Sequence, residues 1–121
     1  MTVKRISVKS LNDILEGNTT EEATCFIKVY SNNCNYCHNL KDYYEDLAAK
    51  YEEMYFYAFN IEDDMSLETR LGFNGIPTII KVKVAPPDST VDILGDPPKP
   101  NKLTWYRSAD IKNFIEETEN D

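Results

Sequence analysis

The sequence predicts an α/β fold, a β-sheet covered by helices on both faces. Runs of β-branched and aromatic residues alternate with amphipathic stretches. Three runs carry the strand signal most clearly: residues 24–30 (Thr-Cys-Phe-Ile-Lys-Val-Tyr), 55–61 and 78–84 (Thr-Ile-Ile-Lys-Val-Lys-Val). Between the first two, apolar residues recur at Leu40, Tyr43, Tyr44, Leu47, Ala48 and Tyr51. That spacing of three and four puts them on one helical face, with Lys41, Asp42, Glu45, Asp46 and Lys50 toward water.

In chain order, residues 3–6 read as an edge strand, followed by a short helix near 10–15 that Gly17 ends. The strand at 24–30 leads through Ser31-Asn32-Asn33, a loop composition, into the helix that runs onward from His38. After the strand at 55–61 a short helix is expected at 66–71, stopped by Gly72. Beyond 78–84 the alternation fails. Residues 90–94 and 103–107 both look like strands with no helix between them, and a hairpin closing the sheet would account for both. Five of the six prolines fall between residues 86 and 100, which reads as a stiff, irregular excursion. Ser108 can cap a last helix whose inner face is Ile111, Phe114 and Ile115.

The chain has 121 residues, enough for one domain, 1–121, with its own core. Hydrophobic residues make up 41%, and the mean hydropathy of −0.52 is that of a soluble protein. No apolar run approaches the roughly 18 to 20 residues needed to span a bilayer. The start, Met1-Thr2-Val3-Lys4-Arg5-Ile6-Ser7, leads to no apolar stretch that could act as a secretory signal. If the numbering begins at the natural start, a cytoplasmic location is expected. The net charge of −8 and pI near 4.6 argue against nucleic acid and anionic membrane surfaces as partners.

Three cysteines cannot all pair with one another, so redox or metal chemistry is favoured over a structural disulfide framework. Cys34 and Cys37 fall between the end of a strand and the start of a helix. Free amides and the helix dipole stabilise an anion there, which lowers a thiol's pKa from about 8.5 toward the 3.5 to 7.5 range. The spacing lets Cys37 resolve a mixed disulfide formed at Cys34. Two rival readings use the same residues. Cys34-Asn35-Tyr36-Cys37-His38 has the C-x-x-C-H pattern of c-type haem attachment, and zinc could recruit Cys25 and His38 beside the pair. The Val/Ile-rich strands and missing export signal weigh against haem. Cys25, inside a strand, reads as a buried small hydrophobe rather than a ligand. His38, the only histidine, reads either as a partly exposed helix residue or as an imidazolium that favours the thiolate.

The stretch from Ile27 to Leu40, with Cys34-Asn35-Tyr36-Cys37 inside it, resembles the second strand, active-site loop and second helix of the thioredoxin superfamily. Gly75-Ile76-Pro77-Thr78 looks like the family's proline loop, and Asn60-Ile61-Glu62 like the end of its third strand. The resemblance implies a thioredoxin fold, with a central mixed sheet of four to five strands flanked by helices on both faces. It implies a cis Ile76–Pro77 bond, with Ile76 and Pro77 beside the cysteines to receive an extended substrate. It also implies a protein-disulfide oxidoreductase in which Cys34 attacks and Cys37 resolves, with no bound cofactor and no metal. The partners implied are protein disulfides and an external reductant of the thioredoxin-reductase type, and a monomer is expected. The alternative is a non-catalytic thioredoxin-fold module in a larger assembly, distinguished by whether function survives mutation of both cysteines.

The chain also departs from the family. Asn33 stands where thioredoxins have tryptophan, and Asn35-Tyr36 replaces Gly-Pro. Tyr36 either covers the pair or shapes a substrate groove with Ile76. At Lys28 the family usually keeps a buried acid that accepts the resolving thiol's proton. Lys28 therefore either snorkels to the surface or tunes the pair as a cation or a neutral amine.

Overall fold

Residues 23–30 must lie at the centre of a sheet, because five consecutive side chains, Cys25 to Val29, are buried in a strand whose side chains alternate between faces. The computed structural model describes residues 3–119 and bears this out. Met1 and Thr2 of the amino-terminal stretch, and the last two residues of the expected 1–121 domain, lie outside the described residues.

The strands are β1 (Val3–Arg5), β2 (Ala23–Tyr30), β3 (Tyr55–Asn60), β4 (Thr78–Ala85) and β5 (Asp88–Ile93), in the order β1-β3-β2-β4-β5. β3 runs parallel to both β1 and β2, whereas β4 is antiparallel to β2 and to β5, so the sheet is mixed. The helices are α1 (Val8–Leu15), α2 (Asn35–Lys50), α3 (Leu67–Leu71) and α4 (Ser108–Glu119). The apolar faces of α2 and α4 cover one side of the sheet: Leu40, Tyr44, Leu47, Ile111, Phe114 and Ile115 pack on Phe26, Phe56 and Ile79. On the other side Leu11, Ile14 and Leu67, from α1 and α3, meet Cys25, Ile27, Val29, Phe59, Ile80 and Val82. Each such side chain removed from water contributes about 1.5–3 kcal/mol, which makes the two layers the main source of stability.

Several boundaries differ from the sequence reading, each for a local reason. α1 starts at Val8 rather than near residue 10, because the Ser7 hydroxyl accepts the Ser10 N–H at 3.1 Å and caps it. α2 starts at Asn35, ahead of His38, because Cys34 itself is the N-cap. Ser108 is the first residue of α4 rather than its cap. The first turn is held instead by the Asp110 carboxylate, which accepts the Arg107 N–H at 2.8 Å.

The expected hairpin between 90–94 and 103–107 is not formed. β5 pairs with β4, and Pro86–Pro87 makes the two-residue turn, so residues 86–100 are not one irregular excursion. Residues 103–107 form no strand, because the Asn101 side chain takes the N–H groups of Leu103 and Thr104 at 2.8 and 3.2 Å. α1 docks on the hairpin through Gly17, which has φ +71 and would place a Cβ 2.6 Å from the Asp88 backbone. The Ser89 hydroxyl donates to the Leu15 carbonyl beside it. Among the described residues no helix is long and apolar enough to cross a membrane.

Candidate active site

β2 delivers the chain to the edge where α2 begins, and the loop between them is tied to the end of β3. The Asn32 N–H donates to the Glu62 carboxylate at 3.0 Å, and the Asn60 amide donates to the Asn32 side chain at 3.1 Å. His38 reaches back from α2 so that its Nε2–H can donate to the Asn32 carbonyl at 2.8 Å. The exposed imidazole thereby braces the loop against the helix. These bonds hold Cys34 at the N-cap.

Cys34 and Cys37 are joined as a disulfide, with Cα atoms 5.2 Å apart. The Cys37 N–H donates to the Cys34 sulfur at 3.1 Å, and the His38 N–H to the Cys34 carbonyl at 3.1 Å. The two sulfurs differ in access. Cys34 is half-buried, whereas Cys37 is 2% exposed. In the reduced state a thiolate at Cys34 would keep that amide and the positive end of α2, the arrangement that lowers a thiol's pKa. Cys25 sits on the other face of the sheet among Leu11, Ile14 and Ile27, where burial pushes its thiol up to about 11. It cannot join the pair around a metal. Among the described residues no three His, Cys, Asp or Glu side chains converge as a metal site.

Tyr36, Ile76 and Pro77 line one cavity of about 560 Å³, together with Phe73, Asp96 and Trp105. The Ile76–Pro77 bond is cis. The loop before it is fixed by Glu68, which accepts the Gly75 N–H at 2.7 Å, and by Thr78, whose hydroxyl donates to the Gly75 carbonyl at 2.8 Å. Gly75 has φ +85, a conformation that glycine adopts without steric cost. Tyr36 is partly exposed and leans on Trp105, ring centroids 5.9 Å apart. Trp105 and Asp96 were invisible as site residues in the sequence, because both belong to the irregular segment after β5. The chain has one tryptophan, and it stands at the rim of this cavity although Asn33 replaces the expected one beside Cys34.

Lys28 does not snorkel to the surface. It is 6% exposed, with its Nζ 5.5 Å from the Tyr44 ring centroid and 5.8 Å from that of Tyr30. Burial lowers its pKa from 10.5 to about 8; Glu45 opposes that shift and Lys41 adds to it. A second cavity, of about 490 Å³, is lined by Lys28, Cys37, His38, Lys41 and Glu45. The buried amine and the buried cysteine thus line one open pocket, whose rim is formed by the exposed His38 and Lys41.

The family model described as Thioredoxin matches residues 3–99. No curated protein sequence matches the chain. Solved structures that it resembles include chloroplastic thioredoxin z (15% identity, TM-score 0.71), with 100% of this chain and 97% of that one covered. Thioredoxin f from spinach chloroplast, short form, aligns at 15% identity and TM-score 0.72 over 98% of this chain and 94% of that one. Thioredoxin f2, in a complex with ferredoxin:thioredoxin reductase, aligns at 18% identity and TM-score 0.73, covering 98% and 96%. At these identities the likeness shows a shared fold.

Proposed function

The chain belongs to the thioredoxin family, and on that premise we propose that it is a thiol–disulfide oxidoreductase working on protein disulfides through Cys34 and Cys37. The observation that carries the reading is the Cys37 N–H bond to the Cys34 sulfur at the start of α2, with Cys34 accessible and Cys37 buried behind it.

In the reduced protein, the Cys34 thiolate attacks one sulfur of a substrate disulfide. The substrate S–S bond breaks, a Cys34–substrate disulfide forms, and the departing substrate thiolate takes a proton. Cys37 then loses its proton, and its thiolate attacks the Cys34 sulfur. The mixed disulfide breaks, the second substrate thiolate leaves and is protonated, and the Cys34–Cys37 disulfide remains. Two electrons and two protons pass to the substrate, and an external dithiol reductant returns them. A reductase partner is in keeping with the complex of the thioredoxin f2 relative with ferredoxin:thioredoxin reductase.

Lys28 and His38 tune the pair. The Lys28 ammonium shares a cavity with Cys37, so it favours thiolate there and makes the disulfide more oxidising. His38 braces the loop and adds positive charge when protonated. Tyr36, Ile76 and Pro77 form the surface against which the substrate chain lies.

The decisive test is Cys37→Ser, which leaves Cys34 without its resolver. A mixed disulfide to a substrate protein should accumulate and map to Cys34. No adduct, or one on Cys25, would refute the reading.

A further inference from the structure

Residues 94–107 occupy more chain than is needed to join β5 to α4, and they are held in one shape. The Leu94 N–H donates to the Ile79 carbonyl at 3.0 Å, and the Tyr106 hydroxyl to the Leu94 carbonyl at 3.0 Å. Asn101 and Trp105 exchange backbone N–H···O bonds of 2.9 Å in both directions. The Asn39 amide of α2 donates to the Leu103 carbonyl at 2.8 Å and fastens the segment beside the cysteine loop. Its product is a wall. Trp105 is brought against Tyr36, which lies between Cys34 and Cys37 in the chain.

Trp105 is held at φ +66, the left-handed region that a bulky side chain occupies only under constraint. It is the only non-glycine residue with positive φ among those described. Such strain persists where surrounding bonds over-determine it, and it is found at ligand-binding surfaces. Here it turns an indole onto the rim of the cavity that also holds Ile76 and Pro77. Phe73, Ile76 and Leu94 give the lining apolar stretches between the polar Asn74 and Thr78, and Asp96 is its one formally charged residue. The Asp96 side chain is exposed, and no hydrogen bond or ion pair engages its carboxylate among the described residues. Its charge is nevertheless felt inside, where it adds to the burial that raises the Tyr106 pKa.

We propose that Tyr36, Trp105 and Asp96 select substrate polypeptides carrying an arginine or lysine within a few residues of the cysteine attacked by Cys34. The unpaired carboxylate answers the cation, the faces of Tyr36 and Trp105 accept a guanidinium or alkylammonium, and the net charge of −8 draws basic chains toward the site. The inference rests on the oxidoreductase reading for its biology, but the groove's preference can be read without any redox step.

The test uses disulfide-linked peptides differing only in arginine, glutamine or glutamate beside the cysteine, and the same peptides with that cysteine S-methylated. Reduction of 2-hydroxyethyl disulfide, too small to span the groove, reports the cysteine pair alone. The wild-type protein should reduce the arginine peptide with a kcat/KM about five- to tenfold above the glutamine peptide. The S-methyl forms should show the same order in Kd, and the preference should shrink in 0.5 M salt. Asp96→Asn, a change at an exposed side chain, should remove most of the preference while leaving 2-hydroxyethyl disulfide reduction unchanged, and Trp105→Gly, whose backbone suits φ +66, should also remove most of the preference in Kd. Equal Kd values for the arginine and glutamine S-methyl peptides, or a preference that survives both substitutions, would overturn the proposal. Failure to reduce 2-hydroxyethyl disulfide would overturn the oxidoreductase reading instead, and the S-methyl Kd values would still decide the groove.

Discussion

The backbone N–H of Cys37 points at the sulfur of Cys34, 3.1 Å away, so the residue that would resolve a mixed disulfide also stabilises the sulfur that would form it. A short side chain at the N-cap normally serves to satisfy a helix's free amides. Here a sulfur takes that role, so in the proposed mechanism one contact would serve both structural capping and thiol activation.

The Cys34 thiol of the reduced protein should therefore titrate well below the free-cysteine value of about 8.5, within the range of about 3.5 to 7.5. Alkylation rates followed against pH give this directly. Cys25, buried on the far face with its thiol pushed up to about 11, should stay unlabelled at neutral pH until the protein is unfolded. Fast native labelling of Cys25, or a Cys34 midpoint at or above 8.5, would contradict the account.

Lys28 supplies a prediction on potential. A cation in the cavity with Cys37 favours the thiolate of the reduced form, and so raises the reduction potential. The wild-type pair should lie above the roughly −270 mV of thioredoxin. Lys28→Met should lower the potential by about 10–30 mV in equilibration with glutathione or dithiothreitol. A rise on substitution would mean that Lys28 acts otherwise.

The same residue sets a pH dependence of stability. Its pKa falls from 10.5 in the open chain to about 8 in the folded protein. Between those values the unfolded chain holds a proton that the folded chain has released, so stability rises with pH across that window. Below about pH 8 the full cost of the buried ammonium is present. In urea unfolding of the oxidised protein, the advantage of Lys28→Met over wild type should shrink by about 1–2 kcal/mol between pH 7 and 9.5. A pH-independent difference would show that the lysine is neutral or well solvated throughout.

Gly17 tests the docking of α1 on the β4–β5 hairpin. A methyl group there would meet the Asp88 backbone at 2.6 Å and the Pro87 carbonyl at 2.7 Å, with φ already at +71. Gly17→Ala should cost more than about 2 kcal/mol, seen as a drop in Tm, with disulfide chemistry at Cys34 intact.

What could be read from the sequence was what local chemistry decides. The run Thr24–Tyr30 followed by two cysteines and the Leu40, Tyr44, Leu47 stripe fixes a strand, a turn and a helix within one stretch of chain, and the structure places all three there. The Leu-Thr-Trp-Tyr segment at 103–106 has equally strand-like composition, but β4 already pairs with β5, and Asn101 takes its amides. Nothing local reveals that competition. The burial of Lys28 escapes for a related reason. A lysine can lie along a strand with its end in water, and only the placement of the Tyr30 and Tyr44 rings shows that this one stays inside. Tyr36 and Trp105 lie far apart in the chain, so their contact exists only once the sheet has assembled.

The central claim is that Cys34 and Cys37 exchange disulfides, and turnover of a protein disulfide such as insulin's, with dithiothreitol as electron donor, tests it most directly. Wild type should accelerate the reduction catalytically, Cys37→Ser should stall as a mixed disulfide, and Cys34→Ser should fall to the uncatalysed rate. A Cys34→Ser protein that turns over as fast as wild type, or a wild type no faster than dithiothreitol alone, would contradict the account.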